Sequence, residues 1–351
     1  MSPEMQIGNR KISDNDKVFI IAEISANHNQ NYDKAVQLVK AACEAGADAV
    51  KLQTYTPDTM TIDSDKEWFQ IKVNEAWKDQ TLYDLYKKAY TPWEWHSKLA
   101  EITKNYNVLL FSTPYDETAV DFLEQMDVPV YKVASFELID LELLKKIALT
   151  KKPVIISRGM ASLEELELAY KTLKENGCPE VAILHCVSSY PALPKEMNLA
   201  TIQDLKKKFD VVVGLSDHTL TTETAVAAVA LGAKIIEKHI TLDRNEKGPD
   251  SGFSLEPKEF KELVRQVRNV EQAIGVVRYE CGEKESENIV FRRSLFAIKN
   301  IKAGEILTKE NVRSIRPGYG LAPKFLNQIL GKKAKKDIDK GTPLNWEMVK
   351  E

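Results

Sequence analysis

The chain has 351 residues, 43% apolar and 29% charged, with a net charge of −3, the balance of an ordinary globular protein large enough for one sizeable domain plus a small one. No window approaches the roughly 18–20 uninterrupted apolar residues of a membrane span. The first 17 residues are polar and carry no apolar leader, so a cytoplasmic protein with no membrane partner is expected.

From residue 17 onward, short apolar runs alternate with amphipathic segments. The runs are "KVFIIAEI", "DAVKLQ", "NVLLFST", "PVYKVAS", "PVIISRG", "VAILHCV", "VVVGLSD" and "AKIIEKHI". Nearly continuous Val/Ile/Leu runs signal parallel strands buried on both faces. Between them lie helix-like stretches such as "YDKAVQLVKAACEAGA", apolar at i, i+3, i+4 and i+7. Eight such units over about 270 residues predict a (β/α)8 TIM barrel rather than a doubly wound open sheet. Residues 54–90 interrupt the pattern with a Trp- and Tyr-rich insertion, the length of a functional loop over a site. After the eighth helix the chain reads as a polar linker, residues 281–290, and a small β-rich domain, residues 291–351, following a catalytic domain of residues 1–280. The tail domain is basic, with 14 Lys+Arg against 6 Asp+Glu from residue 291 onward, a charge that suits nucleic acid or an anionic substrate. The four cysteines, Cys43, Cys178, Cys186 and Cys281, are far apart and read as reduced, buried thiols.

Polar residues collect at the C-terminal ends of the predicted strands, where barrel enzymes place their chemistry. The ends carry Glu23; Lys51 and Gln53; Ser112 and Thr113; Lys132, Ser135 and Glu137; Ser157 and Arg158; His185, Ser188 and Tyr190; Ser216, Asp217 and His218; and Glu237, Lys238 and His239. Ionisable groups at one end of nearly every strand are costly as core and point to a pocket. Lys51 and Lys132, with hydroxyls at Thr113, Ser135, Ser157, Ser188 and Ser216, suit an anion bearing phosphate and carboxylate. His218 and His239 end neighbouring strands and can reach one divalent ion. Glu23, on the next strand round, completes or borders that site, and Glu237 shares the face of His239 by the alternation of strand side chains. His96 reads as an ordinary helix residue and His185 as barrel interior.

The motifs "AEISANHNQ", "AGADAVKLQTYTPDTMTI", "FSTPYD", "YKVASFE", "GLSDHT", "EKHITLD" and "GPDSGFSLEP" resemble, in this order, the sialic acid synthase family. "FRRSLFAIKNIKAGEILTKENVRSIRPGYG" resembles that family's C-terminal antifreeze-like (SAF) domain. The resemblance implies a barrel enzyme, dependent on Mn2+ or Mg2+, that condenses phosphoenolpyruvate with an amino-sugar aldehyde and water in a domain-swapped homodimer. By position it implies that Lys51, Thr113, Lys132, Ser135, Ser157, Ser188 and Ser216 hold phosphoenolpyruvate. His218 and His239 would hold the metal, and Glu23 would sit beside the reacting carbons. Gln53, Tyr115, Glu137, Tyr190 and Asp250 would face the sugar, with Arg316 reaching in from a partner subunit. That last role accounts for the basic tail without nucleic acid. Two departures are visible: "SRGM" stands where the family often has "STGM", and Ser188 stands where some members have asparagine. "SANHNQ" stands where N-acetylneuraminate-forming members typically read "GVNHNG". With "TYTPDTMTID", "TPWEWHS", "VASFE" and "DSGFSLE" it resembles the pseudaminate-forming branch, whose substrate is a 2,4-diacetamido-2,4,6-trideoxyhexose. Phe253 and the aromatic insertion would suit its methyl and acetamido groups. An N-acetylneuraminate or legionaminate synthase is the alternative.

Overall fold

The structure, a computed structural model, describes residues 3–72, 77–78, 80–246 and 248–350. The chain divides into two compact units, Met1–Gly275 and Val276–Glu351.

The first unit opens with a hairpin of β1 (Met5–Ile7) and β2 (Arg10–Ile12). The expected barrel follows: β3 (Phe19–Glu23), β4 (Ala49–Thr54), β5 (Leu109–Pro114), β6 (Tyr131–Val133), β7 (Val154–Ser157), β8 (Val181–Cys186), β9 (Val212–Asp217) and β10 (Ile235–His239). All pair in parallel, and β10 closes on β3 with His239 opposite Glu23. The strands β3, β6, β7, β8, β9 and β10 are buried at every residue, which is why they read as unbroken apolar runs. Gly214 in β9 is required by packing, since a Cβ there would lie 2.3 Å from the Ile235 carbonyl oxygen of β10. Amphipathic helices cover the outside, from Tyr32–Ala45 to Pro257–Ile274. The first starts on an Asn31 side-chain cap and ends on Gly46 in the left-handed region.

The N-terminal hairpin has no counterpart among the predicted elements. Its Met5, Ile7 and Ile12 join the barrel core. Gly8 packs near Leu109 and Pro129, the Gln6 amide donates to Glu180, and Arg10 pairs with Asp48 at 2.7 Å. These partners flank the N-terminal ends of β4, β5, β6 and β8, so the hairpin plugs the end of the barrel opposite the strand-end polar residues.

The insertion of residues 54–90 forms short helices, Pro57–Met60 and Leu82–Ala89; its residues 73–76 and 79 lie outside the described residues. The second unit pairs β11 (Ser294–Ala297) with β12 (Val312–Ile315) in antiparallel register. Its own core includes Leu295, Ile301, Leu307, Val312, Ile329 and Leu344. Part of the stretch read as a linker is helical, Glu283–Ser286 followed by a 3-10 turn, Glu287–Phe291. All four cysteines are free, but Cys281 is exposed, which corrects the expectation that every thiol is buried. It sits in that polar stretch, where no core is available to cover it.

Strand alternation decides the fate of neighbouring polar residues. Glu237 and His239 point into the barrel mouth, and Lys238 points outward into the helix layer. There Lys238 pairs with Asp217 at 2.8 Å, both fully buried, and donates to the Thr219 and Thr221 carbonyls. This pair belongs to the scaffold. Lys238→Met should leave Asp217 charged, buried and half-satisfied, lowering unfolding free energy in urea by about 3–5 kcal/mol. Adding Asp217→Asn should recover part of that loss.

Candidate active site

At the C-terminal mouth of the barrel, side chains from most of the strands line one cavity of about 590 Å3. Its floor is a cluster of buried charges. The Lys51 ammonium contacts Glu23 directly, donates to Thr113 Oγ1 at 3.1 Å, and lies 3.7 Å from Glu237. The Lys132 ammonium donates to Ser157 Oγ at 2.7 Å and to the Val133 carbonyl at 2.9 Å, with Glu237 at 3.9 Å. Ser216 donates to Glu237 Oε1 at 2.9 Å, the oxygen that Lys132 approaches, while Lys51 lies on Oε2. Ser135 and Ser188 share a hydrogen bond of 2.8 Å, made possible by Gly159. That residue has φ of +45°, and a Cβ on it would lie 2.2 Å from Ser135 Cβ. Two ammonium groups and five hydroxyls therefore converge where an anion can be held by point charges and directed donors.

The two histidines come together as expected, with ring centroids 5.4 Å apart. His218 Nδ1 lies 2.9 Å from the Val187 carbonyl oxygen. A carbonyl only accepts, so Nδ1 carries a proton and Nε2 is the nitrogen left for a ligand. Burial, reinforced by His218 and Lys51, holds His239 well below the usual imidazole range and therefore neutral. Among the described residues its buried Nδ1 has no hydrogen-bond partner. Burial opposes charge on His218, but Cys186 and the Val187 carbonyl outweigh it and raise it above the usual imidazole range. A neutral His239 beside a His218 that can give up its proton fits a divalent cation. Among the described residues no group of three or more His, Cys, Asp or Glu is placed to hold one, so the protein's share would be two ligands. Phe253 and Tyr190 pack on both sides of this pair, Phe253 5.0 Å from His239 and Tyr190 4.5 Å from His218.

The wall is aromatic and apolar: Tyr55, Met60, Ile71, Trp77, Tyr86, Phe136 and Met160 line it beside Tyr115. Several of these come from the insertion, which is thus part of the cavity. Trp77 Nε1 donates to the Pro249 carbonyl at 2.8 Å and its ring lies on Tyr190 at 5.6 Å.

Two carboxyls in this setting titrate unusually. Burial pushes Glu23 up to about 7, against the pull of Lys51, with Glu237 adding to the rise. Burial likewise pushes Glu137 up to about 7, and its Oε2 has no hydrogen-bond partner among the described residues. Glu237 resolves the other way: burial opposes its charge, but Lys132 and Lys51 outweigh it and hold the carboxyl below its usual range. Two acids near neutrality beside one held ionised give the mouth both proton donors and acceptors.

The cavity lining brings together Lys51, Lys132, Gln53, Tyr115, Ser135, Glu137, Ser157, Ser188, Tyr190, Ser216, Asp250, His218 and His239, while Glu23 and Thr113 stand directly behind on Lys51. Arg316 does not line it; it is exposed in the second unit, just after β12. Arg158 also turns away, donating to His185 Nδ1 at 3.4 Å and the Ala161 carbonyl at 3.2 Å. His185 is core, held by the Met197 carbonyl, and His96 is buried against Thr54 at 2.8 Å. Glu237, Ser25 and Cys186 line the cavity beyond the residues given roles from sequence. Glu237 was within reach of strand alternation, two positions before His239. Ser25 lies in a loop, where no periodicity points a side chain.

Fold and cavity define a (β/α)8-barrel enzyme with its polar groups at the C-terminal mouth. Residues 38–279 match the NeuB family and residues 292–350 the SAF domain. A pseudaminic acid synthase of Campylobacter jejuni is 49% identical over 97% of this chain and 98% of its own. An N,N'-diacetyllegionaminic acid synthase of Campylobacter jejuni is 38% identical over 92% and 97%. The crystal structure of an N-acetylneuraminic acid synthetase from Leptospira borgpetersenii, in complex with citrate, superposes with a TM-score of 0.73. It is 36% identical, covering 82% of this chain and 96% of that one. The chain belongs to the NeuB family.

The raised carboxyl of Glu137 has a consequence for stability. Its folded value of about 7 lies above the ordinary 4.5, so the stability it contributes is full below pH 4.5 and is lost as pH rises through 7. At pH 8 the ionised, unpaired side chain is a burden on the fold. Glu137→Gln should therefore raise unfolding free energy at pH 8 by about 1–3 kcal/mol and change it little at pH 4.5. Denaturant titrations at the two pH values check this.

Proposed function

We propose that the chain forms pseudaminic acid in the cytoplasm, condensing phosphoenolpyruvate with 2,4-diacetamido-2,4,6-trideoxy-altropyranose and water and releasing phosphate. The observation that carries this reading is the division of one cavity into a cationic, hydroxyl-rich floor and an aromatic, apolar wall. The floor suits a small molecule with a carboxylate and a phosphate. The wall suits an acceptor whose methyl and acetamido groups replace hydroxyls. The identity of 49% to a pseudaminic acid synthase, against 38% to a legionaminic acid synthase, favours this acceptor over its relatives.

In this reading Lys51 and Lys132 bind the anionic groups of phosphoenolpyruvate, with Thr113, Ser135, Ser157, Ser188 and Ser216 directing them. Strands hold Lys51, Thr113, Lys132, Ser157 and Ser216, and a mutual hydrogen bond holds Ser135 and Ser188, before substrate arrives, so little reorganisation accompanies the charge shift. C3 of phosphoenolpyruvate attacks the aldehyde carbon of the open-chain sugar. Mn2+ or Mg2+, held by His218 and His239, would supply Lewis-acid polarisation of that aldehyde. Glu23 protonates the developing alkoxide, a role suited to a carboxyl that titrates near 7. Water adds at C2 of the resulting cation, and phosphate leaves by C–O cleavage. Gln53, Tyr115, Glu137, Tyr190 and Asp250 contact the sugar. Arg316 serves the pocket of a partner subunit in a domain-swapped homodimer.

Phosphate release should require phosphoenolpyruvate, a divalent metal and an acceptor, and should be fastest with the trideoxy sugar. No release with any acceptor sinks the reading, and faster turnover with N-acetylmannosamine moves it to the N-acetylneuraminate branch. EDTA should abolish release and Mn2+ restore it. Glu23→Gln should lower kcat by about 100-fold or more with the fold intact by circular dichroism. Arg316→Ala should raise the acceptor KM without changing the unfolding midpoint of the barrel.

A further inference from the structure

The loop after β3 holds three non-glycine residues in the left-handed region: Ser25 at φ 51°, Asn29 at 48° and Gln30 at 56°. Asparagine tolerates this conformation; serine and glutamine do so at a cost. Such strain persists only where side chains are held by other contacts, and it concentrates at functional sites. Ser25 is 1% exposed and lines the cavity. Its hydroxyl donates to Asp250 Oδ2 and lies 3.4 Å from Gln53 Nε2, placed to accept from it. Its backbone N–H donates to Glu23 Oε1 at 2.8 Å. One residue thus touches Glu23 and two of the five side chains assigned to the sugar, Asp250 and Gln53. Asp250 Oδ1 and Gln53 Oε1 take no hydrogen bond among the described residues, so Ser25 occupies one side of each group and leaves the other for a ligand.

We infer that Ser25 is a positioning residue that sets acceptor specificity, aiming Asp250 Oδ1 and Gln53 Oε1 at hydroxyl or acetamido N–H donors of the sugar. The inference rests on the reading of the cavity as a nonulosonate synthase site. Ser25 opens the stretch "SANHNQ" that leaves β3. Glycine there meets the backbone requirement without strain but supplies no hydroxyl. Gln30, at the last position of the same stretch, uses its side chain to reach the Tyr90 carbonyl and ties the loop to the end of the insertion. Both residues that accept the backbone cost have side chains that bridge to other walls of the cavity. The Ser25 N–H bond to Glu23 does not depend on the side chain, so loss of the hydroxyl alters acceptor recognition and leaves that contact in place.

The test is Ser25→Gly beside Ser25→Ala, each assayed by phosphate release with the trideoxy sugar and with N-acetylmannosamine. Glycine relieves the φ strain, so Ser25→Gly should fold at least as stably as the parent. It should nevertheless lose about 10-fold or more in kcat/KM for the trideoxy sugar, the scale of one charge-assisted hydrogen bond. KM for phosphoenolpyruvate should stay within about twofold, because Lys51 and Lys132 do not touch Ser25. The ratio of kcat/KM for the two sugars should fall in both variants. In the background Asp250→Asn, adding Ser25→Gly should cost little more, since the two act through one contact. An unchanged sugar ratio in a stable Ser25→Gly variant overturns the inference. Absence of turnover by the parent chain with any sugar overturns the underlying reading instead.

Discussion

Everything at the mouth of this barrel depends on burying four charges at once. Glu23, Lys51, Glu237 and Lys132 lie within 4 Å of one another in sequence around the floor, each almost fully withdrawn from water. One such charge alone would cost several kcal/mol and would neutralise itself instead. Against burial, the two ammonium groups hold Glu237 ionised, whereas burial pushes Glu23 up to about 7. With Glu23 protonated the ammonium groups outnumber the carboxylates, which leaves room for an anion. An incoming anion would compete with Glu23 and Glu237 for the same ammonium groups, which makes the protonation state of Glu23 sensitive to what the floor holds.

That constraint explains why the charges sit on strands. A hydrogen-bonded strand fixes a Cα to within a fraction of an ångström, and the register places His239 opposite Glu23 and Glu23 opposite Lys51. The chain therefore reads His239, Glu23, Lys51 across three strands at one level. Alternation then sorts residues adjacent in sequence. Glu237 and His239 enter the mouth, and Lys238 between them becomes scaffold with Asp217.

Much of this was legible from sequence because strand physics is periodic. Eight apolar runs between amphipathic segments imply parallel strands, and polar residues at their ends imply a mouth. The lysines and histidines were visible on that basis alone. The hairpin before residue 17 was not: its strands are only three residues long, too short for alternation to rise above a polar background. Arg158 stands at a strand end yet turns from the cavity: sequence fixes the strand end but not the rotamer, and the structure sends it to His185 and Ala161. Ser25 gave no signal, since its importance lies in a backbone angle and in partners more than 200 residues away, such as Asp250.

The same contrast divides the cavity into two regimes. The cationic floor is built mostly from strand residues whose positions the sheet dictates. The aromatic wall is built from three loops that hold one another. Asn27 donates to the Ile240 carbonyl and to Ser254, both at 2.9 Å; Trp77 donates to the Pro249 carbonyl; Gln30 reaches Tyr90. Each contact joins a different pair among residues 25–30, 54–90 and 240–254, so the loops form a closed set of ties rather than independent flaps. A barrel of this kind can keep one anion chemistry while its acceptor changes, because loop substitutions leave strand register untouched. The cost of precision then falls on the loops, where left-handed serine and glutamine take the place that glycine would fill without strain.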